Sequence, residues 1–156
     1  MFLKKWLYFL ALGFGSGLSP KAPGTAGTLA AIPLYFLLSY LSVGHYIFMV
    51  WVMGVAGVYI CDVTTKDFGV EDDPRIVWDE MVGYLLTMFL APSGWQWMVL
   101  GFVLFRFFDI LKPWPISVCD RVVKGGLGIM ADDILAGVGA WGILHLIYLL
   151  KGFLIK

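Results

Sequence analysis

Charge is scarce in this chain: 14% of its 156 residues are Asp, Glu, Lys or Arg, while 60% are apolar. With a mean hydropathy of +0.86, that scarcity excludes an ordinary soluble domain. The 11 basic residues are balanced by 11 acidic ones, and no basic or aromatic array is present, so nucleic acid is excluded as a partner. Cys61 and Cys119 are the two cysteines and are far apart. They form no CxxC pair, which leaves neither a thiolate metal centre nor a disulfide framework, and both read as reduced thiols. The two histidines, His45 and His145, fall at or toward one end of the apolar runs, away from the acids, where packing or interfacial roles suit them better than catalysis.

What the chain does have is apolar runs, at 26–42, 46–61, 76–91, 95–111 and 128–150. A span takes roughly 17 to 25 residues, so these predict about five spans in an all-α, polytopic membrane bundle, with residues 1–156 forming a single domain. Pro33 lies inside the first run and predicts a kink there. The links at 42–45 and 91–95 carry no charge, whereas "DVTTKDFGVEDDPR" and "KPWPISVCDRVVKGGLG" are crowded with it. Lys4, Lys5, Lys21, Lys66, Arg75, Arg106, Lys112, Arg121 and Lys124 fall on the charged side; Lys151 and Lys156 fall on the other. The positive-inside rule makes the charged side cytoplasmic, and five spans put the C-terminus outside. The N-terminal stretch has the two lysines and short apolar core of a signal peptide but no clear A-x-A site. Its apolar part, 6–14, is too short to span and predicts a re-entrant or interfacial helix. A second short interfacial helix is expected at 116–124, after Pro113 and Pro115.

With that topology, the acids within the runs come to one depth. Asp79 and Glu80 open the third span, Arg106 and Asp109 close the fourth, and Asp132 and Asp133 open the fifth. Five carboxylates in one layer repel one another unless a cation is present. A hard divalent ion, Mg²⁺ by type of ligand, is the simplest compensation. Adjacent helical residues differ by about 100° in direction, so one acid of each pair is expected to ligate and the other to meet water or a basic partner. Asp79 and Asp133 are each followed four residues later by a glycine, Gly83 and Gly137, which permits close helix approach. Asp67 and Asp72, in the loop before the third span, are further candidates.

The stretch "GFGSGLSPKAPGTAGT" supplies glycines with Ser16, Lys21, Thr25 and Thr28 just before the first span. Glycines let backbone N–H groups turn toward an anion, and the following helix start adds its positive dipole. No Gly-Lys-Ser/Thr occurs, so this is not a Walker A loop. Arg106, Lys112, Arg121 and Lys124 lie on the same side and are candidates to pair with phosphate oxygens.

"GFGSGLSPKAPGTAGTLAAIP", "VWDEMVG", "FRFFDILKPWP" and "GGLGIMADDILAG" together resemble the phosphatidylglycerophosphatase A family of bacterial inner-membrane lipid phosphatases, over 12–139. The resemblance implies Mg²⁺-dependent hydrolysis of phosphatidylglycerophosphate to phosphatidylglycerol and inorganic phosphate, with the lipid bilayer and the lipid substrate as partners and no obligate protein partner. Other chemistries fit less well. Neither histidine sits among basic residues as a phosphohistidine mechanism needs, "DVTTKD" lacks the haloacid-dehalogenase nucleophile pattern, and the CDP-alcohol transferase spacing is absent. The alternative from another class is a small cation transporter or channel with the acids along its path.

Overall fold

The computed structural model describes residues 2–71 and 73–154, which are helical throughout, without a strand. In chain order they form α1 (Phe2–Ala11), a short 3-10 segment (Gly13–Leu18), α2 (Pro23–Ser39), α3 (Val43–Phe68), α4 (Trp78–Thr87), α5 (Trp95–Leu111), α6 (Ile116–Val122) and α7 (Gly125–Leu154). The all-α expectation holds. Asp72 and Lys156 lie outside the described residues.

Helix length separates shell from core. Among the described residues, α3 with 26 residues and α7 with 30 are long and apolar enough to cross a membrane. They show lipid-compatible faces to the outside, including Trp51, Val55 and Tyr59 on α3 and Leu149 and Phe153 on α7. The run at 76–91, expected as a full span, instead contains the 10-residue α4, about 15 Å long against a hydrocarbon layer of about 30 Å. Its sequence is apolar on almost every side, and such a helix belongs inside. Trp78, Asp79, Met81, Val82, Gly83, Tyr84, Leu85 and Thr87 are all buried, with α2, α3, α5 and α7 packed around them. After α4 the chain turns, with Leu90 in the left-handed region at φ 55°.

The backbones of α4 and α7 come into direct contact in the core. A Cβ on Gly137 would stand 2.5 Å from the Gly83 carbonyl oxygen, and one on Gly83 would stand 2.8 Å from the Asp133 carbonyl oxygen. Only glycine at both positions allows the two backbones to touch. Thr87 Oγ1 closes the seam by donating toward the Gly83 and Gly137 carbonyls, at 3.0 and 3.3 Å. The start of α4 is pinned from two further sides: Trp78 Nε1 donates to the Met53 carbonyl at 3.1 Å and the Val77 N–H to the Ala11 carbonyl at 2.9 Å.

Of the two short peripheral helices, α6 falls inside the expected 116–124, whereas α1 occupies Phe2–Ala11 and the end of the expected 6–14 lies in the 3-10 segment. α1, with 10 residues, docks on the end of α3 through Lys4 and Tyr8, which donate to Asp67 at 2.7 Å each. α6 follows Pro113 and Pro115 and has Arg121 and Val122 exposed.

Candidate active site

Four helix ends meet at one end of the bundle around a cavity of about 300 Å³. The α4 start brings Asp79 and Glu80, the last turns of α5 bring Arg106, Asp109 and Lys112, α7 brings Asp132 and Asp133, and the α2 start brings Ala22, Pro23 and Gly24. Acids in the first turn of α4 suit the positive end of the helix dipole. α2 begins with Pro at its first turn behind a left-handed Ala22, and its early N–H groups lie at the cavity wall. The Gly24 position has no room for a side chain, since a Cβ there would collide with Glu80 Oε1 and stand 3.0 Å from Arg106 Nη1.

Asp79, Glu80 and Asp133 each present a carboxylate oxygen within 4.8 Å of the others. Asp79 Oδ1, Glu80 Oε2 and Asp133 Oδ2 are buried and have no hydrogen-bond partner. Buried polar atoms are ordinarily paired, and an unpaired one marks a missing partner. The nearest cation is Arg106, whose Nη1 is 3.9 Å from Glu80 Oε1 and in closer ion-pair contact with Asp109 Oδ2. Its buried Nε makes no hydrogen bond, while Nη1 is taken up by the ion pair with Asp109. One guanidinium shared with Asp109 does not offset three converging carboxylates. Three hard oxygen donors with orphaned atoms fit a hard divalent cation.

Asp132 faces another way. Its Oδ2 accepts from Lys112 Nζ at 2.5 Å, and the same ammonium donates to Asp120 Oδ1 at 2.5 Å. Burial acts to lower the Lys112 pKa, but the bonds to the two carboxylates raise it above the ordinary lysine value, so the side chain is a permanent cation. The Lys112 bond holds Asp120 below the usual carboxylate range.

The remaining expected site residues scatter. Ser16 donates to the Gly13 carbonyl and Thr28 to the Gly24 carbonyl, bracing the glycine-rich segment from inside. Lys21 is exposed and Thr25 half-buried, and neither lines the cavity. Arg121 turns back to the Ser117 carbonyl, and Asp67 is engaged by Lys4 and Tyr8. Lys124 lines a separate cavity of about 150 Å³ with Asp120 and Asp132. Sequence reasoning did not single out Gly24 or Asp120 as site residues. The signal for Asp120 was the pair of prolines at 113 and 115, which turn the chain so that residue 120 returns to residue 112.

A family model described as PgpA: Phosphatidylglycerophosphatase A matches residues 9–148. The phosphatidylglycerophosphatase A of Escherichia coli K12 is 52% identical over 141 residues, covering 90% of this chain and 82% of the relative. That of Haemophilus influenzae Rd is 48% identical over 136 residues, covering 86% and 83%. No solved structure matches the chain. With the matched stretch containing all four helix ends that build the cavity, the chain belongs to the phosphatidylglycerophosphatase A family.

Proposed function

We propose that this protein hydrolyses phosphatidylglycerophosphate to phosphatidylglycerol and inorganic phosphate, with Mg²⁺ held by Asp79, Glu80 and Asp133, at the cytoplasmic face of the bacterial inner membrane. The observation that carries the reading is the group of three buried carboxylates with unpartnered oxygens, in a chain whose relatives include the phosphatidylglycerophosphatases A of Escherichia coli and Haemophilus influenzae. Bound there, the cation would supply positive charge to the phosphoryl oxygens and acidify a coordinated water.

The chain's own groups do the rest. Arg106 and Lys112 meet the phosphate from the α5 side, and the early N–H groups of α2 meet it from the Gly24 side. Water attacks phosphorus as the bond to the glycerol oxygen breaks; a carboxylate of the cluster takes a proton from the water and passes it to the departing oxygen. A carboxylate nucleophile is disfavoured because no aspartyl-nucleophile motif is present. The two acyl chains stay in the leaflet, so the headgroup approaches sideways, past exposed Ile110 of the cavity lining. In this reading α2, α4 and α5 lie in the membrane together with α3 and α7, and the length and apolar character of α3 and α7 support it. The excess of Lys and Arg at the cavity end supports its cytoplasmic placement.

The test is phosphate release from phosphatidylglycerophosphate by purified protein in mixed micelles. Chelation of divalent ions should abolish it and Mg²⁺ restore it, and acid quenching during turnover of phosphate-labelled substrate should leave the protein unlabelled. Undiminished turnover after exhaustive chelation would remove the cation from the reading, and a labelled aspartyl peptide formed at a competent rate would replace water as nucleophile.

A further inference from the structure

Lys112 occupies a backbone position that ordinarily favours glycine. It caps α5 in the left-handed region, at φ 42° and ψ 56°, where a Cβ crowds the following carbonyl oxygen. A non-glycine residue kept in such a place points to a use for its side chain. That side chain reaches Asp132 Oδ2 on α7 and Asp120 Oδ1 on α6, each at 2.5 Å. An ammonium has three donors, so one remains.

Asp132 lines both cavities at this end of the bundle, while Asp120 lines only the smaller one and Lys112 only the larger. The Asp120–Lys112–Asp132 contact therefore stands between the two. A lysine stem is long and flexible, and three carboxylates converge in the cavity that Lys112 lines. Left to itself, the ammonium would be drawn toward that cluster and away from an incoming phosphoryl group. Asp120 competes for it from outside.

We propose that Asp120 is a positioning residue: it holds the Lys112 ammonium off the carboxylate cluster, with its remaining N–H free for the phosphoryl group. The inference rests on the assignment of Lys112 to phosphate binding, and it makes the interfacial helix α6 part of the active machinery. A purely structural clamp joining α5, α6 and α7 would use the same contacts, so the test must read more than loss of activity.

The experiment uses the full chain in mixed micelles with Mg²⁺ and phosphatidylglycerophosphate. Asp120→Asn should raise KM about tenfold with kcat changed by less than about threefold. In a Lys112→Met background the same substitution should change kcat/KM by less than about twofold, because its effect runs through the lysine. Asp120→Glu should recover much of the KM. An equal loss in both backgrounds, or a loss confined to kcat that Asp120→Glu does not recover, would overturn the proposal in favour of a clamp. If Lys112→Met leaves too little turnover for the second comparison, the KM and kcat split with the Glu rescue decides alone. Silence of Asp120→Asn beside an inactive Asp79→Asn would sink the positioning role and leave the site standing, whereas an active Asp79→Asn would sink both.

Discussion

The two ends of α4 handle polar atoms in opposite ways. At its C-terminal end the carbonyls are met one by one: Tyr46 Oη donates to Leu85 at 2.6 Å and Trp141 Nε1 to Phe89 at 2.9 Å, and His145 Nε2 lies 3.0 Å from the Leu90 oxygen. At its N-terminal end, Asp79 and Glu80 are inserted beside Asp133 with buried oxygens unmatched. One end closes a helix inside the packed bundle, where an unpaired carbonyl is costly. The other keeps that cost in place, and such concentrations of unfavourable energy belong to sites that await a ligand. The contrast between the start of α4 and its last turn with the turn that follows is sharper than polarity alone, because both regions are polar.

The largest effect that would break this contrast is at the unmatched end. Asp79→Asn and Asp133→Asn should each lower kcat by about a hundredfold or more, while their melting temperatures without divalent ions stay level or rise, since an uncompensated charge has been removed. Paired activity assays and thermal scans check this, and a fall in both quantities would make the acids structural. Next, Mg²⁺ at about a hundred times its Kd should stabilise the wild-type protein by about 2.7 kcal/mol and shift Asp133→Asn much less, as thermal scans across a Mg²⁺ titration would show. Arg106→Ala should lower kcat/KM by about tenfold to a hundredfold, against no change for Lys151→Ala at the other end of the molecule. Equal small effects would reduce Arg106 to general electrostatics.

At the matched end the signs reverse. Tyr46→Phe should cost about 1 kcal/mol of stability, the typical net worth of one hydrogen bond, and leave kcat/KM within about twofold in the same micelle assay. The smallest effect belongs to the loop leading into α4. Hydrogen bonds from Arg75 hold buried Asp73 below the usual carboxylate range. A carboxylate with a lowered folded pKa contributes stability that is fully present above its unfolded value of about 3.9 and is lost as pH falls through the folded value. Wild type and Asp73→Asn should therefore differ in melting temperature near neutrality and converge in acid.

Much of this contrast was legible before any coordinates. The pairs Asp79 with Glu80 and Asp132 with Asp133, each opening an apolar run, pointed to the end of the bundle where these acids line one cavity, and the glycines four residues beyond Asp79 and Asp133 anticipated the seam between α4 and α7. Two things were not legible. Hydropathy measures how apolar a segment is and not which solvent it meets, so the enclosed α4 read like a span. Charge counting brings acids to one depth without showing their directions, so Asp132 and Asp109 ranked with Asp133 although their partners are Lys112 and Arg106. The Asp120 contact depends on how the chain turns through Pro113 and Pro115, and periodicity carries no record of that.

The Gly83 and Gly137 contact sets a gauge as well as a seam. Each glycine stands one helical turn beyond an acid of the cluster, so the thickness of the two bare backbones fixes how far apart Asp79 and Asp133 are held. A single added methyl at Gly137 would meet the Gly83 carbonyl and wedge the helices apart, widening the ring of carboxylates. In the proposed site, ionic radius is then chosen by the absence of two side chains: Gly137→Ala should shift the preferred activating ion from Mg²⁺ toward the larger Mn²⁺ or Ca²⁺, whose coordination tolerates longer distances.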